Sequence, residues 1–329
     1  LQIARPAVFE EAIVWAAAFA LWATYFLLRW IHHGGIANIS ASVLLFIFGA
    51  SARGSAGLLS LTLALAIVIL TVARNIRPIR SVIVAMAALA TLPLVSVAYG
   101  FYAKFDTVAP SWLLNEQIST AEHWTAILNA NGGKTFSPEF IPTTLFAYLR
   151  PDALSLRADA GNIFGGMQLQ PTRPTYDDIA WLWPLREGSL YLEPVASLTS
   201  IVPAAILLTV TGLIWSTGLR ISTRSPLSSS SATAPRWFAR LLILCGFSYA
   251  LLVLTTVGVT NRYLGDFIPG VVIAVAIGSI AIANLQQRHT KVGRTLVILA
   301  LSLTVLGIIT SLIVANSLLM QRLAQASPL

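Results

Sequence analysis

Apolar runs of membrane-crossing length recur along this chain, and they limit its fold more than any other feature. They fall at about 12–28, 36–52, 56–73, 81–99, 198–218, 238–258, 267–285 and 295–315. A helix rises about 1.5 Å per residue, so roughly 20 apolar residues cross the roughly 30 Å of bilayer hydrocarbon. The chain is 56% hydrophobic and only 10% charged, with a mean hydropathy of +0.77. An ordinary soluble domain carries about 25% charged residues. One buried core cannot absorb so large a deficit, and lipid is the expected solvent. The predicted fold is an all-α polytopic membrane protein with about eight transmembrane helices. Residues 1–99 hold the first four and residues 198–329 the last four.

The second run, 36–52, is short and carries Asn38, Ser40 and Ser42, and only Arg53-Gly54-Ser55 separates it from the third. Were it re-entrant, the sidedness of everything after it would invert. Charge decides between the two. The loops after runs one, three, five and seven hold Arg29; Arg74, Arg77 and Arg80; Arg220, Arg224, Arg236 and Arg240; and Arg288, Lys291 and Arg294, with no Asp or Glu. All 13 acidic residues fall on the other side. Basic residues near helix ends stay cytoplasmic, which predicts external termini and an extracytoplasmic segment at 100–197.

That segment differs in kind from the rest, gathering most of the Pro, Asp, Glu and Trp. Phe140-Ile141-Pro142-Thr143-Thr144 and Tyr148-Leu149-Arg150-Pro151-Asp152 read as short helices broken by proline. Trp112, Trp124, Trp181 and Trp183 suit a surface at the headgroup level. Asn131-Gly132-Gly133 reads as a turn. The stretch at about 219–237, with its serine run, reads as a flexible cytoplasmic linker. No internal repeat of fixed period is visible.

Several chemistries are excluded at this level. The single cysteine, Cys245, rules out an internal disulfide or a multi-cysteine metal site. A net charge of +8 and a pI of about 10.1 do not signal nucleic acid, because the excess lies in short loops between apolar spans. His123 is external while His32, His33 and His289 are cytoplasmic, so no histidine cluster crosses the membrane. Asp177-Asp178 lacks a third ligand and reads as a solvated turn rather than a metal site. No glycine-rich phosphate loop or nucleophile elbow is present, and no cofactor is implied. The chain begins at Leu1 without a signal-peptide pattern and reads as starting partway through a longer protein.

Candidate functional residues gather on the external side. Arg262 and Tyr263, in Asn261-Arg262-Tyr263-Leu264-Gly265-Asp266, stand at the outer boundary, where a planar guanidinium suits a phosphate. The alternative is an interfacial anchor in which Arg262 pairs with Asp266. Glu10 and Glu11 stand just outside the first run, as a catalytic base toward an acceptor hydroxyl or as acids favoured by a helix N-terminus. Lys104 and Asp106 end an aromatic strip, Tyr99-Gly100-Phe101-Tyr102, that lines a lipid-facing groove or forms an interface belt. Together with Asp266 and Arg150 they are candidates to line the site.

Three stretches carry a resemblance. They are Arg5-Pro6-Ala7-Val8-Phe9-Glu10-Glu11-Ala12-Ile13-Val14-Trp15; Asn131-Gly132-Gly133 with Pro142-Thr143-Thr144-Leu145 and Ala147 to Asp152; and Asn261 to Leu264 with Asp266-Phe267-Ile268-Pro269. In this order the chain resembles actinobacterial polytopic membrane proteins that look like distant relatives of the GT-C superfamily. These are membrane glycosyltransferases using polyprenyl-phosphate sugars, including the protein mannosyltransferase-like group. The resemblance implies a bacterial cell-membrane location and a lipid-phosphate sugar as partner. It implies Arg262 at the donor phosphate, with Glu10 and Glu11 bordering the same cavity. In that superfamily the catalytic acid usually follows the first helix, a position this chain lacks if it is the C-terminal part. The rival expectation is a non-catalytic scaffold or lipid-binding assembly partner using 100–197 as its contact surface. A secondary transporter ranks last, because the span interiors carry essentially no ionisable residues.

Overall fold

The fold is described from a computed structural model. It describes residues 4–74, 78–106, 108, 122–158, 167–174, 190–192, 195–216, 236–259, 261–288 and 290–326. Trp112, Trp181, Trp183, Asp177, Asp178 and residues 219–235 of the expected linker lie outside them, while Arg236 and Trp237 begin a helix.

Helix dominates, as the hydropathy predicts. The elements are α1 (Ala4–His33), α2 (Ile36–Ala52), α3 (Ser55–Arg74), α4 (Ile79–Phe105), α5 (Glu122–Ala130), a 3₁₀ turn at Pro138–Phe140 and α6 (Ile141–Leu149). After strands β1 (Leu154–Ala158), β2 (Met167–Pro171) and β3 (Tyr191–Leu192) come α7 (Leu198–Ile201), α8 (Pro203–Ser216), α9 (Arg236–Ser248) and α10 (Leu251–Leu254). Strand β4 (Gly258–Val259), a 3₁₀ turn at Asn261–Phe267, α11 (Ile268–Arg288) and α12 (Thr290–Ala326) complete the chain.

Among the described residues five segments are long and apolar enough to cross a membrane: Ala12–His33, Ser55–Ala73, Ile79–Ala103, Tyr263–Gln287 and Lys291–Ala315. This is a membrane-embedded protein. The other three apolar runs form shorter helices, Ile36–Ala52, Pro203–Ser216 and Trp237–Ser248.

Two of these three differ from their predicted bounds for local reasons. The run at 198–218 is interrupted because Pro203 offers no backbone N–H and forces Val202 out of the helical region, to φ −135° and ψ 56°. The helix of the run at 238–258 breaks at Ser248, turns at Tyr249–Ala250, resumes for one turn at Leu251–Leu254 and gives way to extended chain. Thr255, Thr256, Val257 and Val259 are β-branched and resist helix. Their backbone finds other partners: Ser137 N–H donates to the Thr255 carbonyl at 2.8 Å and Val257 N–H to the Thr135 carbonyl at 2.9 Å.

The chain divides into two compact units. The first comprises residues 1–117, 212–253 and 265–278. Its core is an interlock of small and large side chains. Ala16, Ala20 and Ala23 of α1 admit Phe46 and Ala50 of α2, while Leu59, Leu63, Ile67 and Leu70 form one stripe of α3. A stripe at three- and four-residue spacing faces one neighbour, and alanines let backbones approach where lipid offers no hydrophobic drive for helix pairing. Ser42 Oγ donates to the Ala23 carbonyl at 2.8 Å and Ser60 Oγ to the Leu89 carbonyl at 2.6 Å, so both hydroxyls are satisfied away from water.

The second unit comprises residues 118–211, 254–264 and 279–329. Strands β1 and β2 pair antiparallel, from Leu154 opposite Pro171 to Ala158 opposite Met167. Strands β3 and β4 pair parallel. These strands enlarge the short helices and loops expected of 100–197. Helix α12 has 37 residues, about 55 Å of helix, more than hydrocarbon alone needs, and it packs on β2 and α7.

Candidate functional site

Arg53 and Asp266 form the ion pair at the centre of the candidate site in the first unit. Arg53 stands in the short link between α2 and α3, where its backbone N–H still bonds to the Gly49 carbonyl at 2.8 Å. Its side chain forks onto the Asp266 carboxylate, Nε donating to Oδ1 and Nη2 to Oδ2. Ser55 Oγ adds a bond to Oδ1 at 3.3 Å. Asp266 is fully buried, while the Arg53 side chain is 22% exposed. Tyr249, also fully buried, stands beside Ser55 and feels both charges.

Two charges removed from water repay their desolvation only with near-ideal geometry and further hydrogen bonds, and a bidentate fork with a serine beneath it provides both. A second contact seats the same turn. Gly265 packs so closely on Ile13 of α1 that a methyl group there would overlap the isoleucine side chain. The 3₁₀ turn is therefore held at Asp266 by the α2–α3 link and at Gly265 by α1.

This arrangement fixes what Asp266 can do. Both its oxygens are engaged by Arg53, so it serves as an anchor rather than a base. The sequence reading missed Arg53. Its one signal is that α1 to α4 contain no carboxylate between Glu11 and Asp106, so an arginine in a tight link had to find its counter-charge elsewhere.

A cavity of about 470 Å³ opens beside Arg53, lined also by Gly54, Ser96, Tyr99, Gly100 and Phe101. The aromatic strip of α4 thus reaches the same end of the first unit as the ion pair. Asp106 closes α4 in the left-handed region at φ 56°, its N–H bonded to the Tyr102 carbonyl at 2.8 Å. It is an exposed helix stop.

The backbones of Glu10 and Glu11 lie in α1, that of Lys104 in α4, and that of Arg262 in the 261–267 turn. The side chains of these four lie outside the described residues. Tyr263, in the same turn as Arg262, is half-buried.

Arg150, in the second unit, is buried to 3% exposure. Its Nη2 donates to the Thr172 carbonyl at 2.5 Å and to the Thr172 hydroxyl. The Thr199 hydroxyl bonds the Arg150 carbonyl at 2.9 Å, and Asp152 stands 3.9 Å from the guanidinium. Arg150 thereby fastens the end of α6 to the chain after β2. Asn131-Gly132-Gly133 forms the expected turn after α5, with Gly132 and Gly133 at φ 73° and 79°. Only glycine enters that region without cost, and the Gly133 N–H caps the Leu128 carbonyl at 2.7 Å. Among the described residues no group of three His, Cys, Asp or Glu side chains gathers that could hold a metal ion.

Compared with known proteins, the chain matches no family model, no curated protein and no solved structure.

Proposed function

We propose that this chain is a GT-C-like membrane glycosyltransferase, or the C-terminal region of one. It transfers a sugar from a polyprenyl-phosphate donor on the extracytoplasmic face. The observation that carries the reading is the anchoring of the 261–267 turn by Arg53 and Asp266. Arg262 and Tyr263 belong to that turn, four and three residues before Asp266, and a planar guanidinium there suits the donor phosphate.

The one-sided distribution of charge supports the orientation. Arg29, Arg74, Arg77 and Arg80, Arg220 and Arg224, and Arg288, Lys291 and Arg294 cluster at or between helix ends with no acid among them, which supports placing the other side outside the cell.

In this reaction Glu10 or Glu11 accepts the proton of the acceptor hydroxyl. The freed oxygen bonds to the anomeric carbon of the donor sugar. The bond from that carbon to the phosphate oxygen breaks, and the electron pair leaves with the polyprenyl phosphate. Arg262 neutralises the departing charge. The donor brings its own membrane anchor, so no soluble-nucleotide pocket is needed.

The test is Arg262→Ala in the full-length protein, assayed in membranes with a labelled polyprenyl-phosphate sugar. Transfer is expected to be abolished while insertion and abundance stay unchanged. Full transfer by a correctly inserted variant would remove Arg262 from the mechanism.

The second reading, a non-catalytic lipid-binding scaffold, is favoured by one observation: a large apolar groove between α2 and α4, away from Arg262 in the sequence. A wild-type protein that binds donor lipid without consuming it decides for the scaffold.

A further inference from the structure

We infer that the groove formed by α1, α2 and α4 holds an anionic phospholipid, its phosphate at Arg80 and its acyl chains along the groove. The inference does not depend on sugar transfer. The groove encloses about 1030 Å³, the upper end of what small-molecule pockets reach.

Its two long walls are helix faces. On α2 it is lined by Ile36, Ser40, Val43 and Ile47, and on α4 by Ser81, Ala85, Ala88 and Leu92, each set spaced three or four residues apart so that it shares one face. From Ile36 to Ile47 is about 16 Å of helix, and from Arg80 to Leu92 about 18 Å. One leaflet of hydrocarbon is about 15 Å deep, half the core. The groove therefore has the depth of a single leaflet, with the one charged residue of its lining, Arg80, at one end.

That end is built for a negative headgroup. Arg80 and Ser81 stand at its rim, with Gly34 and Gly35 across from them. Arg29, His32 and His33 end α1 at the same end of the bundle. Arg80 is exposed, and among the described residues no carboxylate pairs with it. Residues 12–105, which hold α2, α3, all of α4 and α1 from Ala12 onward, contain neither Asp nor Glu. Ile36 and Val84, 82% and 71% exposed, present large apolar surfaces beside this unpaired positive charge. A soluble anion leaves those surfaces bare, whereas a phospholipid covers them and supplies the counter-charge with one molecule.

The experiment uses the full chain in mixed micelles holding equal phosphatidylglycerol and phosphatidylcholine with matched acyl chains, with bound lipids counted by native mass spectrometry. Phosphatidylglycerol adducts are expected to exceed phosphatidylcholine adducts about fivefold, the weight of one basic residue at an anionic surface. Arg80→Gln brings the ratio near one. Arg294→Gln, which removes the same charge at the start of α12, leaves it unchanged. Ala88→Phe fills the groove and abolishes the preferred adduct. A ratio near one in the wild type, a preference untouched by both Arg80→Gln and Ala88→Phe, or a dimer that excludes both lipids would overturn the inference.

Discussion

Asp266 has nowhere to find water: it is fully buried, and the Arg53 fork and the Ser55 hydroxyl bond its carboxylate. Removing one member of such a pair leaves an uncompensated buried charge. Asp266→Ala is therefore expected to cost about 3–5 kcal/mol, read as a lowered midpoint in detergent thermal unfolding. Arg53→Lys should recover little of the wild-type stability, since an ammonium cannot make the two parallel bonds. The double variant Arg53→Met with Asp266→Leu should recover most of it; a double variant as unstable as Asp266→Ala would refute the pairing account. Asp266 was legible in the sequence as a residue of interest, but its partner was not. The two stand 213 positions apart, and no local pattern announces a contact of that range. Arg150 was equally visible, yet its partner Thr172 arrives only through the approach of the chain after β2 to the end of α6.

Helix crossings in the first unit depend on glycine. A side chain added at Gly246 of α9 would place its Cβ 2.8 Å from the Gly270 Cα of α11, and one added at Gly270 would meet the Phe247 ring at 2.8 Å. The contact is therefore backbone against backbone, the close approach that small residues permit in membranes. Gly246→Leu is expected to destabilise the protein by about 1–3 kcal/mol through overpacking. Gly100→Ala serves as the control, because a methyl there meets nothing within 4 Å and alanine is the better helix former. Equal thermal midpoints for Gly246→Leu and wild type would show that the crossing is not tight. At this scale hydropathy located every long helix but not every end. It weighs Thr255 to Val259 as apolar and cannot register that β-branched residues take extended partners. It also averages across Pro203, where one missing N–H splits the run. The β1–β2 pair left no clear sequence signal because its strands are short and their register depends on each other.

Across the whole molecule, the most consequential property is the separation of charge. Thirteen acidic residues avoid every basic link, and the functional proposal requires the 100–197 segment to be outside the cell. Among the described residues the same separation leaves Arg80 without a carboxylate partner, which is the ground for the lipid proposed in the α2–α4 groove. The apolar runs made a membrane protein legible from the sequence alone. The division into two units was not legible, because α8 and α11 each contribute to both and no break in composition marks the boundary.

Cysteine accessibility tests this orientation most directly. Cys245 is buried and its thiol faces the Thr62 carbonyl at 3.4 Å, so a Cys245→Ser background is used. Asn129→Cys, exposed on α5, and Arg294→Cys, exposed at the start of α12, are then introduced one at a time. Treated with a membrane-impermeant maleimide, Asn129→Cys should label in intact cells and Arg294→Cys only after permeabilisation. Labelling of Arg294→Cys in intact cells, or protection of Asn129→Cys, would contradict the orientation.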